Sequence, residues 1–351
     1  MSPMRFLMRK STRYSLLLML GLIVALAIVL LLRKAAPPEA ARLLPESDAI
    51  VYVNLKPIRL ATHFDRTTVV RSPDFQHFID ATGIVPERDL DNAAFALHRM
   101  DDPNGPNGPV GYSEVFEGRF DGARLATYLA TIAIAKESYA GHDIFTVPVG
   151  EGKDVRPLRI AQIGYDSIAV SNMPTAEQIH SILDRHRAGA SPFSGSSLLS
   201  ARYRDVPLLS SAWAIGHIGL PFSERGYITI FGLQLPLPED TTFVASLRYV
   251  GSLHLRIEQI SPTDADAARA AQSLDSLVKL LKSIQEMQPR NASDKDFLKM
   301  IDSLKMEQSK DRAILTATVP IELLRELTLP DTDTNPASAS GAPAPDAPAS
   351  H

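Results

Sequence analysis

The spacing that comes nearest to a catalytic signature is Ser276-Leu277-Val278-Lys279. This is the S-x-x-K pattern by which serine acyl-enzymes bring a lysine amine one helical turn from a nucleophilic hydroxyl. That chemistry also needs a K-T-G element, and none occurs in the chain. About one chance match is expected with this much serine and lysine, and the flanking pattern reads as the wet face of a helix. The histidines show no ligand spacing. His180 and His186 are six residues apart on one expected helix and are read as lying on opposite faces. His77 and Asp80 share a face at i,i+3, but two ligands are too few for a metal, so they read as a solvated hydrogen-bonding pair. His254 falls on the polar side of its strand. His217 shares a parity with Trp213 and Ile215 and reads as a satisfied core histidine.

The oxygen-rich run Asp101-Asp102-Pro103-Asn104-Gly105-Pro106-Asn107-Gly108 resembles a calcium loop in composition only. The loop needs D-x-[DN]-x-[DN]-G, and Asn107-Gly108 is displaced by one. Asn-Gly and proline-rich strings turn without any ion. Asn291-Ala292-Ser293 is a formal glycosylation acceptor that reads better as the cap region of the next helix, through Ser293 and Asp296. No G-x-S-x-G, H-E-x-x-H, Walker loop or G-x-G-x-x-G is present. No catalytic, cofactor-binding or metal residue is therefore assigned, and no cofactor is expected.

Composition narrows the classes further. The chain of 351 residues is 45% hydrophobic and 22% charged, enough for a sizeable core. It contains no cysteine, which excludes disulfides and thiolate chemistry. The net charge of −4, with basic residues scattered rather than clustered, argues against nucleic acid as a partner.

Residues 15–32, SLLLMLGLIVALAIVLLL, contain no charge and no proline. As a helix they would span roughly 27 Å, close to the hydrocarbon thickness of a bilayer. The run is longer than a signal-peptide core and ends at Arg33-Lys34 rather than at a small-x-small site, so it reads as an uncleaved anchor. Four basic residues precede it (Arg5, Arg9, Lys10, Arg13) and three follow (Arg33, Lys34, Arg42), a thin bias toward a cytoplasmic N-terminus. The expected organisation is a cytoplasmic tail 1–14, a transmembrane helix 15–32 with the lipid bilayer as partner, a linker 33–42, α+β halves at 43–190 and 191–330, and a disordered Ala/Pro/Ser-rich tail 331–351.

Within the halves, period-two runs predict strands at Ala49–Leu55, Asn92–His98, Tyr112–Phe120, Asp143–Val149, Leu158–Ile163, Ile168–Val170, Ala212–Ile218 and Ala313–Val319. A hairpin Thr242–Val250/Ser252–Ile260 turns about Gly251. Helices are expected at Pro73–Ala81, from Asp121 as N-cap to about Lys136, from Pro174 to Arg187, from the Ser261-Pro262-Thr263-Asp264 capping pattern to about Gln288, and at Phe297–Leu304 and Ile321–Leu327. In the long helix, Asp275–Lys279 and Lys282–Glu286 are i,i+4 pairs. The fold class is α+β: mainly antiparallel sheets with helices on one face, in two related βαββαβ-like halves. The pair GYSEVFEGRFDGARLATYL and GSLHLRIEQISPTDADAARAAQSL points to a duplication.

LLPESDAIVYVNL, RDLDNAAFAL, VFEGRFDGARLATYL and AGHDIFTVPV together resemble a diffuse group of bacterial membrane-anchored or exported α+β proteins. That group has an LP-x-D-A…V-N strand and a G-R-F-D strand leading into a helix. The resemblance covers residues 43–190. It implies placement and fold, and no site. The leading expectation is a single-pass protein of the inner (cytoplasmic) membrane with its bulk outside the cytoplasm, acting without catalysis through a protein partner in the envelope. One alternative is a binding module for a hydrophobic or peptide ligand in a groove between the halves. The other is a hydrolase with no recognisable motif, which would place a Ser or Asp within hydrogen-bond reach of a His beside a cleft.

Overall fold

The computed structural model describes residues 19, 36–66, 69, 71–103, 108–150, 155–189, 194–217, 227–230, 233–236, 241–250, 252–287 and 295–322. The expected membrane span, apart from Met19, and the expected tail 331–351 lie outside the described residues. So do Asn104–Asn107, Asn291–Ser293 and all but the first two residues of the helix expected at Ile321–Leu327. Among the described residues no helix is long and apolar enough to cross a membrane.

Fourteen strands are described: β1 Ala49–Asn54, β2 Leu90–Arg99, β3 Val110–Gly118, β4 Ala135–Tyr139, β5 His142–Val149, β6 Arg156–Gln162, β7 Ser167–Ser171, β8 Ser210–His217, β9 Tyr227–Ile230, β10 Leu233–Pro236, β11 Thr242–Val250, β12 Ser252–Ile260, β13 Lys305–Ser309 and β14 Arg312–Val319. The helices are α1 Glu39–Leu43, α2 Leu55–Thr62, α3 Pro73–Thr82, α4 Pro86–Asp89, α5 Gly122–Ile132, α6 Glu177–Arg187, α7 Ser197–Arg202, α8 Asp264–Met287 and α9 Lys295–Ser303. Twelve strands form one sheet in the order β13-β14-β12-β11-β8-β1-β2-β3-β7-β6-β5-β4, and β9 and β10 pair separately. Every ladder is antiparallel. The protein is therefore α+β with a large antiparallel sheet.

The strands of residues 43–190 all lie on one side of the sheet and those of 191–330 on the other, joined where β1 pairs with β8. In each half a hairpin (β2–β3, β11–β12) leads into helix (α5, α8) and then into a further hairpin (β4–β5, β13–β14). The returns differ. β14 lies directly beside β12, whereas β7 is the strand that pairs with β3.

The helices are not confined to one face, contrary to the reading from sequence. Ile144 and Phe145 are neighbours on β5 and belong to two separate buried clusters. The same holds for Ile168 and Ala169 on β7. Adjacent strand residues point to opposite faces, so both faces of this part of the sheet are covered. One cluster holds Leu43 and Leu44, Ile179 and Leu183 of α6, Leu199 of α7, and Ile50, Val115 and Ile215 of the sheet. The other holds Leu125 and Leu129 of α5 with Phe145, Ile168 and Val170, and Phe78 of α3 packs on it. Strands apolar on both parities need cover on both sides.

The linker also ends sooner than expected. Ala40, Ala41, Leu43 and Leu44 are at most 1% exposed, so the segment from Glu39, expected as the end of a linker, belongs to the core. α5 stops at Ile132, and residues 135–139 form β4 instead of the helix's last turn. α6 begins at Glu177, three residues beyond Pro174. α8 is capped by Thr263, whose Oγ1 accepts the Asp266 amide at 3.2 Å, while the Ser261 amide donates to the Asp311 carbonyl.

Candidate functional site

The residues singled out from sequence do not converge. Ser276 donates to the Gln272 carbonyl at 2.9 Å, and the Lys279 ammonium lies 2.6 Å from Asp275 as expected for i,i+4 neighbours on an exposed helix face. The Lys282 ammonium donates to the Asp302 and Leu304 carbonyls, tying α8 to the end of α9. His77 meets Tyr128 edge-on at 6.1 Å, while Asp80 accepts from Gln76 at 2.8 Å, so these two do not pair. His217 is exposed rather than core, because it is the last residue of β8 at the rim of the sheet; Trp213 and Ile215 are buried. His254 lies 3.0 Å from the Ser252 hydroxyl.

His180 and His186 both reach the β4–β5 hairpin. The His180 ring stacks on Tyr139 at 3.8 Å and lies 3.2 Å from Glu137, and His186 meets His142 edge-on at 5.8 Å. The Tyr139 hydroxyl donates to Asp184 at 2.8 Å, a bond that holds its pKa above the usual tyrosine value. Among the described residues no group of three or more His, Asp or Glu side chains is placed to hold a metal ion.

Three polar groupings emerge that the linear sequence did not disclose. The first is a serine–histidine chain. His98 Nε2 lies 3.0 Å from Ser113 Oγ, which lies 3.2 Å from Ser171 Oγ. The other side of the His98 ring is bonded to the Glu46 backbone carbonyl rather than to a carboxylate. Both serines are 0% exposed and His98 is 5% exposed. Burial holds the His98 pKa below the ordinary value, which favours the neutral ring. The Met173 amide donates to Ser171 Oγ, and the Tyr112 amide to Asn172. A hydroxyl next to a neutral imidazole has the contacts of a nucleophile and base. Walled off from solvent, these groups instead hold β2, β3 and β7 together.

The second grouping fixes where the chain enters the fold. The Tyr52 hydroxyl donates to Asn92 at 2.9 Å, and the Asn92 amide donates to Glu117 at 2.7 Å. The Glu117 carboxylate in turn accepts the backbone amide of Ala40 in the first turn of α1. A carboxylate at a helix N-terminus is favoured by the free amides there. Burial raises the Glu117 pKa and also raises that of Tyr52, which stacks on Trp213 at 5.5 Å. The third is an ion cluster. Arg312 bridges Glu258 at 2.7 Å and Asp205 at 2.9 Å, and Arg256 binds Glu258 from the other side at 2.7 Å. It clamps the 3-10 turn Tyr203–Asp205 to β12 and β14.

Two surface depressions are formed by described residues of the first half. One of about 450 Å³ lies between α3 and α5, lined by His77, Arg124, Thr127 and Tyr128; the other, about 470 Å³, lies along α6 beside His180 and Asp184. Where the halves meet they are joined strand to strand.

No protein-family model matches the chain, and no curated protein is significantly similar to it. Among solved structures, crystal forms III and IV of TP0453 are similar at TM-scores of 0.45 and 0.44 and 10% identity. They cover 83% and 82% of this chain and 98% and 95% of those chains.

Proposed function

We propose that this is a membrane-anchored extracytoplasmic protein that acts without catalysis, presenting its α+β body to a protein partner close to the bilayer. The observation that carries the reading is the position at which the core begins. The charge-free run 15–32 is followed by six residues, and Glu39 then opens a helix packed into the sheet. Six residues reach at most about 20 Å, so the body stays against the membrane that the run enters. Sealing of the His98–Ser113–Ser171 chain from solvent speaks against a hydrolase built on those residues. The edge strands β4 (AKESY) and β13 (KMEQS) are short, polar and lysine-bearing, as edges are when a sheet is not to be extended by strange strands. The partner is therefore expected on the layers and not on the edges. The test is alkaline carbonate extraction of membranes holding the full chain, followed by intact mass. The chain should stay in the pellet at its full mass; release of a chain shortened after the apolar run would overturn the anchor.

A further inference from the structure

We propose that the end of the sheet at which the chain enters is itself a lipid contact, seated in the interfacial layer of the bilayer that holds the anchor; this rests on the anchor reading above. The strand directions define that end. β1 runs from Ala49 to Asn54, and the ladders place Asn54 and Asn92 beside each other, with Glu117, Ser167, Ser210 and Val250 at the same extremity of their strands. Glu117 accepts the Ala40 amide, so α1 starts there and residues 36–38 lead into it there.

At this same end stand Leu60 of α2, Tyr165 of the β6–β7 turn, Leu208 and Leu209 of the turn before β8, and Tyr249 near the close of β11. They are 75%, 95%, 65%, 79% and 52% exposed. From β11 to β7 the row crosses five strand spacings, roughly 24 Å. Two further features belong to this end. α2 is amphipathic and lies half-buried against the body, yet Leu60 is turned to solvent. Leu209 holds φ at 64°, a left-handed conformation that glycine or asparagine would take with less strain, and still turns its side chain to solvent. Leucines and tyrosines in a row are what an interface of headgroups and acyl chains accepts. Lys56 and Arg59 share Asp91, and Arg88 and Arg119 share Asp89, so these cations are held in ion pairs while the five leucine and tyrosine side chains remain exposed. The opposite end also exposes apolar residues, Ile134 and Val149 among them, but the chain does not enter there.

The absence of cysteine makes each introduced one unique. The full chain, carrying a single bimane label at Leu60→Cys, Tyr165→Cys or Leu209→Cys, is reconstituted in phosphatidylcholine vesicles with and without brominated acyl chains; Ile134→Cys and Val149→Cys serve as controls. Labels at 60, 165 and 209 should lose more than about half their emission in brominated vesicles, with the controls unchanged and no dependence on salt. Equal emission at all five positions, while the chain floats with carbonate-washed vesicles, would overturn the contact and leave the anchor standing. A chain that washes off, yet is quenched at the three positions before the wash, would overturn the anchor and keep the contact. Pyrene excimers at 209 without lipid quenching would put a second copy of the chain on this end and overturn lipid as its occupant.

Discussion

Truncation at the start of the body tests where the core begins. Two chains are compared, one beginning at Ala36 and one at Pro45. The second lacks Ala40, Ala41, Leu43 and Leu44, all within 1% of complete burial. Burying a leucine contributes about 1.5–3 kcal/mol and an alanine methyl about 0.8 kcal/mol. The loss also leaves the half-buried Glu117 carboxylate without the Ala40 amide. Together these amount to roughly 5–8 kcal/mol, comparable to the whole stability of a typical domain at about 5–15 kcal/mol. The single tryptophan, Trp213, is 3% exposed and stacked on Tyr52 in the same cluster, so its fluorescence reports the loss directly. In urea, the chain from Ala36 should unfold cooperatively, and the chain from Pro45 should show the emission of an exposed indole already in buffer. Unfolding free energies agreeing to within about 0.5 kcal/mol would refute the assignment of residues 39–44 to the core.

Three further outcomes follow from the buried polar groups. Burial pushes the Glu114 carboxyl up to about 7 from 4.5, between Phe95 and Val170. The folded chain then holds this proton more tightly than the unfolded one, and stability falls as pH rises through that window. Glu114→Gln should gain about 1–2 kcal/mol over the parent at pH 8, after allowance for the side chain's partial exposure, and nothing at pH 4, measured by urea unfolding at both. His98 has the opposite sign, since its lowered pKa removes stability as pH falls below its ordinary 6.5, so only the difference between variant and parent is diagnostic. Ser113→Ala should cost about 1–3 kcal/mol by orphaning His98 Nε2, and a fluorophosphonate probe should label neither parent nor variant; labelling at Ser113 or Ser171 would reinstate a hydrolase. Arg312→Ala leaves Glu258 and Asp205 facing each other in a buried site and should lower stability by about 3 kcal/mol, whereas Lys279→Ala on the wet face of α8 should change it by less than about 0.5 kcal/mol.

The hairpin β11–β12 was readable to the residue because Gly251 breaks two runs of clean alternation. Parity within β3 was equally legible: Tyr112 and Phe116 share one side, Ser113 and Glu117 the other. Parity does not say which side is wet. The side bearing Ser113 and Glu117 is covered by α1, α6 and α7; α6 was expected from Pro174 to Arg187, but α1 and α7 were hard to see. α1 was hidden in an Ala/Pro string that looks like a linker, and α7 is only six residues long. β4 was absorbed into the end of α5 because Ala-Lys-Glu suits a helix, and only pairing with β5 makes it a strand. The Ser113–Ser171 pair is 58 residues apart in the chain, and Glu258 meets Arg312 over 54, so no local spacing announces either.

Sidedness decides the central claim most directly, and paired C-terminal fusions of the full chain measure it. An alkaline phosphatase fusion should be active in intact cells while a fluorescent protein that matures only in the cytoplasm stays dark. A silent phosphatase with a bright fluorescent fusion would put the α+β body on the cytoplasmic side and contradict the account.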